Sequence, residues 1–121
     1  YLRGRNNMSN CCLMIAQTPQ PPYYAVLFTS LRTGGDHGYG IMSDRMVELA
    51  MQQPGYLGHE SARDGLGITI SYWASLEDIR NWKRQSEHWE AQELGRTTWY
   101  SEYKVRICKV ERDYGFAANQ E

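Results

Sequence analysis

A chain of 121 residues, 41% hydrophobic and 22% charged, has room for one compact core and not for two. Its 13 basic and 14 acidic side chains leave a formal net charge of -1, so nothing in its electrostatics calls for a nucleic acid or an anionic membrane as partner. No run approaches the roughly 20 apolar residues that cross a bilayer, and Cys11 to Ala16 is too short for a signal-peptide core. The three cysteines, two of them adjacent, make no disulfide framework and point to a reducing cytoplasm. Without a CxxC or HxxxH spacing, and with three histidines far apart, no metal site is expected.

Residues 1–22 read as a disordered tail or linker. Tyr1 to Asn7 has no periodicity, and the prolines of Thr18-Pro19-Gln20-Pro21-Pro22 cannot donate ladder hydrogen bonds. The folded domain is expected over residues 23–116, with 117–121 as a loose end. Tyr23 to Ser30, rich in aromatic and β-branched residues, forms a first strand. Gly34-Gly35-Asp36-His37-Gly38 breaks it. Met42, Met46, Leu49 and Ala50 then follow helical spacing within Tyr39 to Gln53, and Pro54-Gly55 ends that helix. Tyr56 to Arg63 is a second strand, Asp64-Gly65 a hairpin turn, and Gly67 to Trp73 a third strand. Ser75, with Asp78 three residues on, is the expected N-cap of a second helix. Its stripe is Ile79, Trp82, Ser86, Trp89 and Glu93, and Gly95 closes it. Arg96 to Ser101 suits one more short helical turn. Tyr103 to Glu111 is the fourth strand, with Tyr103, Val105 and Ile107 on one face and Lys104, Arg106 and Cys108 on the other. Cys108 is expected to be buried and inert.

The order strand, helix, strand, strand, helix, strand predicts an α+β fold of the ferredoxin-like βαββαβ kind, with both helices on one face of the sheet. The other face is then bare. Apolar area left in water costs roughly 25 cal/mol per Å², so a second copy laid sheet to sheet is expected, giving a homodimer.

Several stretches resemble a known family. Pro54-Gly55-Tyr56-Leu57-Gly58, Glu60-Ser61-Ala62-Arg63-Asp64, Gly67 to Trp73, and Ile79-Arg80-Asn81-Trp82-Lys83 look like the antibiotic-biosynthesis-monooxygenase (ABM) domain superfamily. The similarity is greatest to a group of small, largely uncharacterised bacterial members, in which His88, Trp99-Tyr100 to Tyr103, and Val110-Glu111-Arg112 also look typical. The resemblance covers about Tyr23 to Phe116. It implies a dimeric α+β barrel with a pocket between each sheet and its helices. Some members of the superfamily oxidise polycyclic phenols with dioxygen and no metal or flavin, others bind and cleave haem, and membership fixes fold better than function.

The haem-cleaving pattern, as the resemblance implies it, asks for an Asn on the first strand, a Trp on the second helix, and a His ten residues after that Trp. Trp82 matches. Position 92 is Gln92, and no Asn lies between Tyr23 and Ser30. His88, six residues past Trp82, falls about 120° around an ideal helix from it. The pattern therefore argues against haem degradation, and no cofactor is expected.

Cofactor-free oxygenation asks for an apolar pocket, a proton acceptor and donors for a developing oxyanion, since a deprotonated electron-rich phenol can itself reduce dioxygen. The candidates are the Trp82 indole N–H, the Tyr72 hydroxyl, and His88 or His59 as a base near neutral pH. Trp73 would line the pocket, while Arg45 or Arg106 would face an anionic intermediate. Each has a plainer reading. Trp82 and Trp89 lie on the apolar stripe and suit core packing. His88, opposite that stripe, suits the surface or a dimer contact. His59 sits in a strand beside Leu57 and Ser61, where a hydrogen-bonded structural histidine fits. His37 lies in a glycine-rich turn, and Gly34 to Gly40 lacks the Lys and Ser/Thr of a phosphate loop. The sequence thus supports a monooxygenase acting on a small aromatic or quinone-like compound. The competing readings are a non-catalytic dimeric protein that binds a small hydrophobic ligand, and a haem-binding relative.

Overall fold

The computed structural model describes residues 14–92 and 96–118. Most of the expected tail, with Cys11 and Cys12, lies outside the described residues, as do Glu93, the Gly95 stop and residues 119–121. The elements run β1 (Tyr23–Arg32), α1 (Tyr39–Met51), β2 (Tyr56–Asp64), β3 (Leu66–Trp73), α2 (Leu76–Gln92), α3 (Arg96–Trp99) and β4 (Tyr100–Val110). The four strands form one antiparallel sheet in the order β2-β3-β1-β4. This is the ferredoxin-like α+β arrangement that the element order predicts.

Strand pairing sorts the side chains onto two faces, because directly paired residues share a face and the period is two. Tyr24 pairs with Trp73 and with Lys109, and Tyr56 also pairs with Trp73. Trp73 packs with Ala50 of α1 and Ile79 of α2, so this is the helix-covered face. Tyr24, Val26, Tyr56 and Trp82 pack against that buried trio. Phe28 lies further along the same face, its ring 5.4 Å from Tyr100 and 5.2 Å from Tyr103.

Local signals place the two helices. At the start of α2, the Ser75 Oγ accepts from the Asp78 amide at 3.1 Å and donates to the Asp78 carboxylate at 2.8 Å. That is an N-cap of the expected kind. Gly55 must be glycine for two reasons. Its φ is +84°, and a Cβ there would fall 2.0 Å from the Asp78 carboxylate. Its carbonyl accepts from the Ala74 amide at 2.8 Å, which ties the end of the α1–β2 turn to the start of α2. Past β1, the Trp99 indole donates to the His37 carbonyl, and Arg32 donates to the Trp99 carbonyl at 2.9 Å. Trp99 is buried there, which anchors α3 beside the loop before α1.

The open face carries Tyr23, Ala25, Leu27 and Leu31 of β1, with Leu66, Ile68, Ile70 and Tyr72 of β3 facing them across the ladder. Leu66 and Ile68 are 48% and 40% exposed. One end of this face is covered by the chain's own N-terminal segment. The Ala16 amide donates to Glu60 at 3.0 Å, and the Thr18 hydroxyl donates to the Tyr23 hydroxyl at 3.0 Å. The apolar remainder stays open. Cys108, expected to be buried, is exposed on this face. The reason is positional: alternation puts Cys108 on the sheet face that no helix covers.

Candidate functional site

The helix-covered face gathers a chain of aromatic contacts around Trp73, which is 0% exposed. Trp73 stacks on Trp82 of α2 with ring centroids 6.0 Å apart and planes 23° from parallel. Tyr56 meets Trp73 edge-on, with ring centroids 5.6 Å apart. The Trp73 indole N–H donates to the Ser71 hydroxyl at 2.9 Å, so its one polar atom is satisfied. Trp82 and Trp89 are both half-buried, as their place on the apolar stripe predicts.

His59 joins this group through an irregularity in β2. The register shifts between Tyr56 and Gly58, leaving Leu57 as an extra residue, and His59 then pairs with Ser71. A bulge of this kind turns the following residues over. Tyr56 and His59, three apart, therefore share the helix-covered face, and the Tyr56 hydroxyl is hydrogen-bonded to His59 Nδ1. Gly58 accommodates the bend with φ +147°. Strict alternation, which places His59 with Leu57 and Ser61, does not reveal this.

Burial acts on both members of the pair. It depresses the His59 pKa below its ordinary 6.5, partly opposed by the Glu60 charge. It pushes the Tyr56 phenol up to about 12. Near pH 7 the imidazole is neutral and the phenol keeps its proton. The arrangement is an uncharged base bonded to a hydroxyl, next to an indole stack. Chemically it can accept a proton from a phenol while an apolar wall excludes water.

The other sequence candidates lie apart from this group. Tyr72 neighbours Trp73 in β3 and so faces the open side, where its hydroxyl donates to Glu60 at 2.8 Å. Its pKa is raised, first by burial and then by that bond. The Tyr23 ring lies edge-on to it at 5.8 Å, and the Tyr23 hydroxyl donates to Asp113. Arg106 is on β4, paired with Leu27, exposed on the open face. Arg45 lies on the exposed side of α1, 3.9 Å from Glu48. His88 lies on the exposed side of α2. Trp82, Trp73 and His59 are thus brought together, while Tyr72, Arg106, Arg45 and His88 are not. Tyr56 and Ser71 belong to the group and were not singled out by the sequence. The one signal for Tyr56 was its place after Pro54-Gly55, where a strand that bends early can present it to the helices.

Among the described residues, no group of three or more His, Cys, Asp or Glu side chains is placed to hold a metal ion, and no helix is long and apolar enough to cross a membrane.

Comparison with known proteins places this geometry. No family model matches the chain. The uncharacterised protein YqjZ of Bacillus subtilis is 50% identical over 107 residues, covering 87% of this chain and 94% of YqjZ. Among solved structures, SnoaB of Streptomyces nogalater, a cofactor-independent oxygenase, superposes with a TM-score of 0.60 at 15% identity, covering 84% of this chain and 97% of SnoaB. A Nitrosomonas europaea protein provisionally assigned as an antibiotic biosynthesis monooxygenase gives 0.57 at 13% identity, with 87% and 99% covered. PA3566 of Pseudomonas aeruginosa gives 0.57 at 16% identity, with 79% and 99% covered. At such identities the structural likeness establishes the fold, while the identity to YqjZ establishes kinship. The chain belongs to one family with the uncharacterised YqjZ of Bacillus subtilis, and its fold is the one that SnoaB and the Nitrosomonas europaea protein share.

Proposed function

We propose that this protein is a cofactor-independent monooxygenase that oxidises a small phenol or quinol with dioxygen, working as a homodimer in the cytoplasm. The observation that carries the reading is the Tyr56–His59 hydrogen bond beside the Trp73–Trp82 stack. A flat aromatic substrate would lie against Trp82, the partly exposed end of the stack. Its hydroxyl proton would pass to the Tyr56 oxygen as the Tyr56 proton moves to His59 Nδ1. The phenolate so formed can give an electron to dioxygen, and the Trp82 indole N–H is the available donor for the developing oxyanion. Buried Tyr56 serves as a conduit because its own anion is disfavoured there. His88, Tyr72, Arg45 and Arg106 have no step in this scheme.

The dimer would use the open face, where Leu66, Ile68 and their neighbours leave apolar area in water. Haem has no part in the scheme, and titration with haemin is expected to give no Soret shift at micromolar concentration.

The test is dioxygen uptake with a panel of anthrones and hydroquinones. Wild type is expected to exceed the buffer rate on at least one of them. His59→Gln is expected to lose about 10²-fold or more, as removal of a general base does, while Tyr114→Phe, at a fully exposed position, keeps the wild-type rate. Binding of the same compounds with no uptake above buffer would replace the oxygenase with a ligand-binding protein.

A further inference from the structure

The aromatic rings on the helix-covered face touch in series. Ring centroids lie 6.2 Å apart from His59 to Tyr56, 5.6 Å from Tyr56 to Trp73, and 6.0 Å from Trp73 to Trp82. The ends of the series differ. Trp82 is half-buried, whereas Tyr56 ends in a hydroxyl bonded to an imidazole nitrogen. Tryptophan and tyrosine are the side chains most readily oxidised by one electron, and electron exchange between touching rings is fast. A phenol that has lost an electron is a very strong acid. The oxidised state therefore settles on a tyrosine whose hydroxyl already has a base within hydrogen-bond reach. Tyr72 and Tyr23 also donate to bases, but they lie on the opposite face, in ring contact with each other. Tyr56 combines a base with a tryptophan contact.

We propose that Trp82, Trp73 and Tyr56 form a one-electron relay, with His59 as proton acceptor, that drains an oxidising equivalent from the Trp82 end into a neutral phenoxyl radical on Tyr56. The oxidant is a hydroperoxyl-class radical that escapes the dioxygen chemistry, so the relay's role in the cell rests on the reading above. The hydroperoxyl radical takes one electron from Trp82 and one proton from solvent and becomes hydrogen peroxide. Trp82 recovers its electron from Trp73, and Trp73 from Tyr56. As Tyr56 gives up that electron, its Oη–H bond breaks and the proton joins His59 Nδ1. A cellular thiolate then gives one electron to the phenoxyl while His59 Nδ1 returns its proton, which restores the phenol and the neutral imidazole and leaves a thiyl radical. The resting state suits the step: burial keeps the phenol protonated until it is oxidised and keeps the imidazole neutral to receive the proton.

The test supplies the oxidant by light. The full chain is flashed with a ruthenium polypyridyl sensitiser and an irreversible cobalt(III) acceptor, and the trapped radical is read by electron paramagnetic resonance. Wild type is expected to give a tyrosyl signal. Tyr56→Phe is expected to convert it to an indole-type signal, and His59→Gln to slow tyrosyl formation about tenfold or more. Fluorotyrosine placed at position 56, which preserves the shape of the side chain, is expected to add fluorine splitting. Tyr114→Phe is the control. A tyrosyl signal that survives Tyr56→Phe unchanged, or lacks fluorine splitting with the label at 56, overturns the relay. Substrate turnover does not enter this experiment. A protein that fails every oxygen-uptake assay and still forms the Tyr56 radical keeps the relay and loses the oxygenase.

Discussion

The two faces of the sheet are built from similar residues and do different work. The helix-covered face packs Tyr24, Tyr56 and Trp82 against the buried cluster around Trp73, with the Tyr56 hydroxyl and the Trp73 indole N–H both hydrogen-bonded. The open face also begins with tyrosines, Tyr23 and Tyr72, but these bond to carboxylates and to the N-terminal segment at one end. Beyond them Leu31, Leu66 and Ile68 leave an exposed aliphatic patch, bordered by Arg106 on β4. The difference teaches that aromatic content alone does not mark a site. What separates the faces is the partner of each hydroxyl: a neutral imidazole on one side, carboxylates on the other. Only the first is a base close to an indole stack.

Four changes would break or sharpen that contrast. The largest effect is expected from Trp73→Ala, which opens a cavity where both helices meet the sheet. Urea unfolding should show a loss of about 3–5 kcal/mol, and a loss under 1 kcal/mol would show that the covered face is loosely packed. Next is Ile68→Asp on the open face. It should raise the dissociation constant of the proposed dimer at least about tenfold, or about 1.4 kcal/mol, shifting sedimentation toward the 14.0 kDa chain mass. Wild type sedimenting at that mass would leave the open face without its second copy. Ser75→Ala removes the α2 cap and should cost about 1 kcal/mol, with little effect on dimerisation. The smallest effect concerns pH. Because the folded state holds the His59 pKa below 6.5, the unfolded chain binds the proton more readily. Stability from this group is therefore present above pH 6.5 and falls as pH drops from there toward the lowered folded value. His59→Gln should flatten that part of the unfolding curve, and an unchanged slope would place His59 in water.

Much of the fold was legible because the signals are local. Ser75 with Asp78, Pro54-Gly55 and Asp64-Gly65 each mark an element boundary through the backbone geometry those residues favour. The stripe Ile79, Trp82, Ser86, Trp89 runs at helical spacing, and the described residues bear it out. The site was less legible. Tyr72 and Trp82 both offered a donor, and nothing short of the pairing shows that the sheet lies between them. Cys108 looked buried because it sits in a strand, and exposure depends on whether another layer covers that strand.

The sequence by itself determined the element order and the helix stripes, because turn chemistry and hydrophobic period act over a few residues. Tertiary structure decided the rest. One extra residue in β2 turned His59 over to meet Tyr56, and strand pairing put Tyr72 on the far side from Trp82. Such choices depend on register between segments distant in sequence, where a shift of one residue exchanges the two faces.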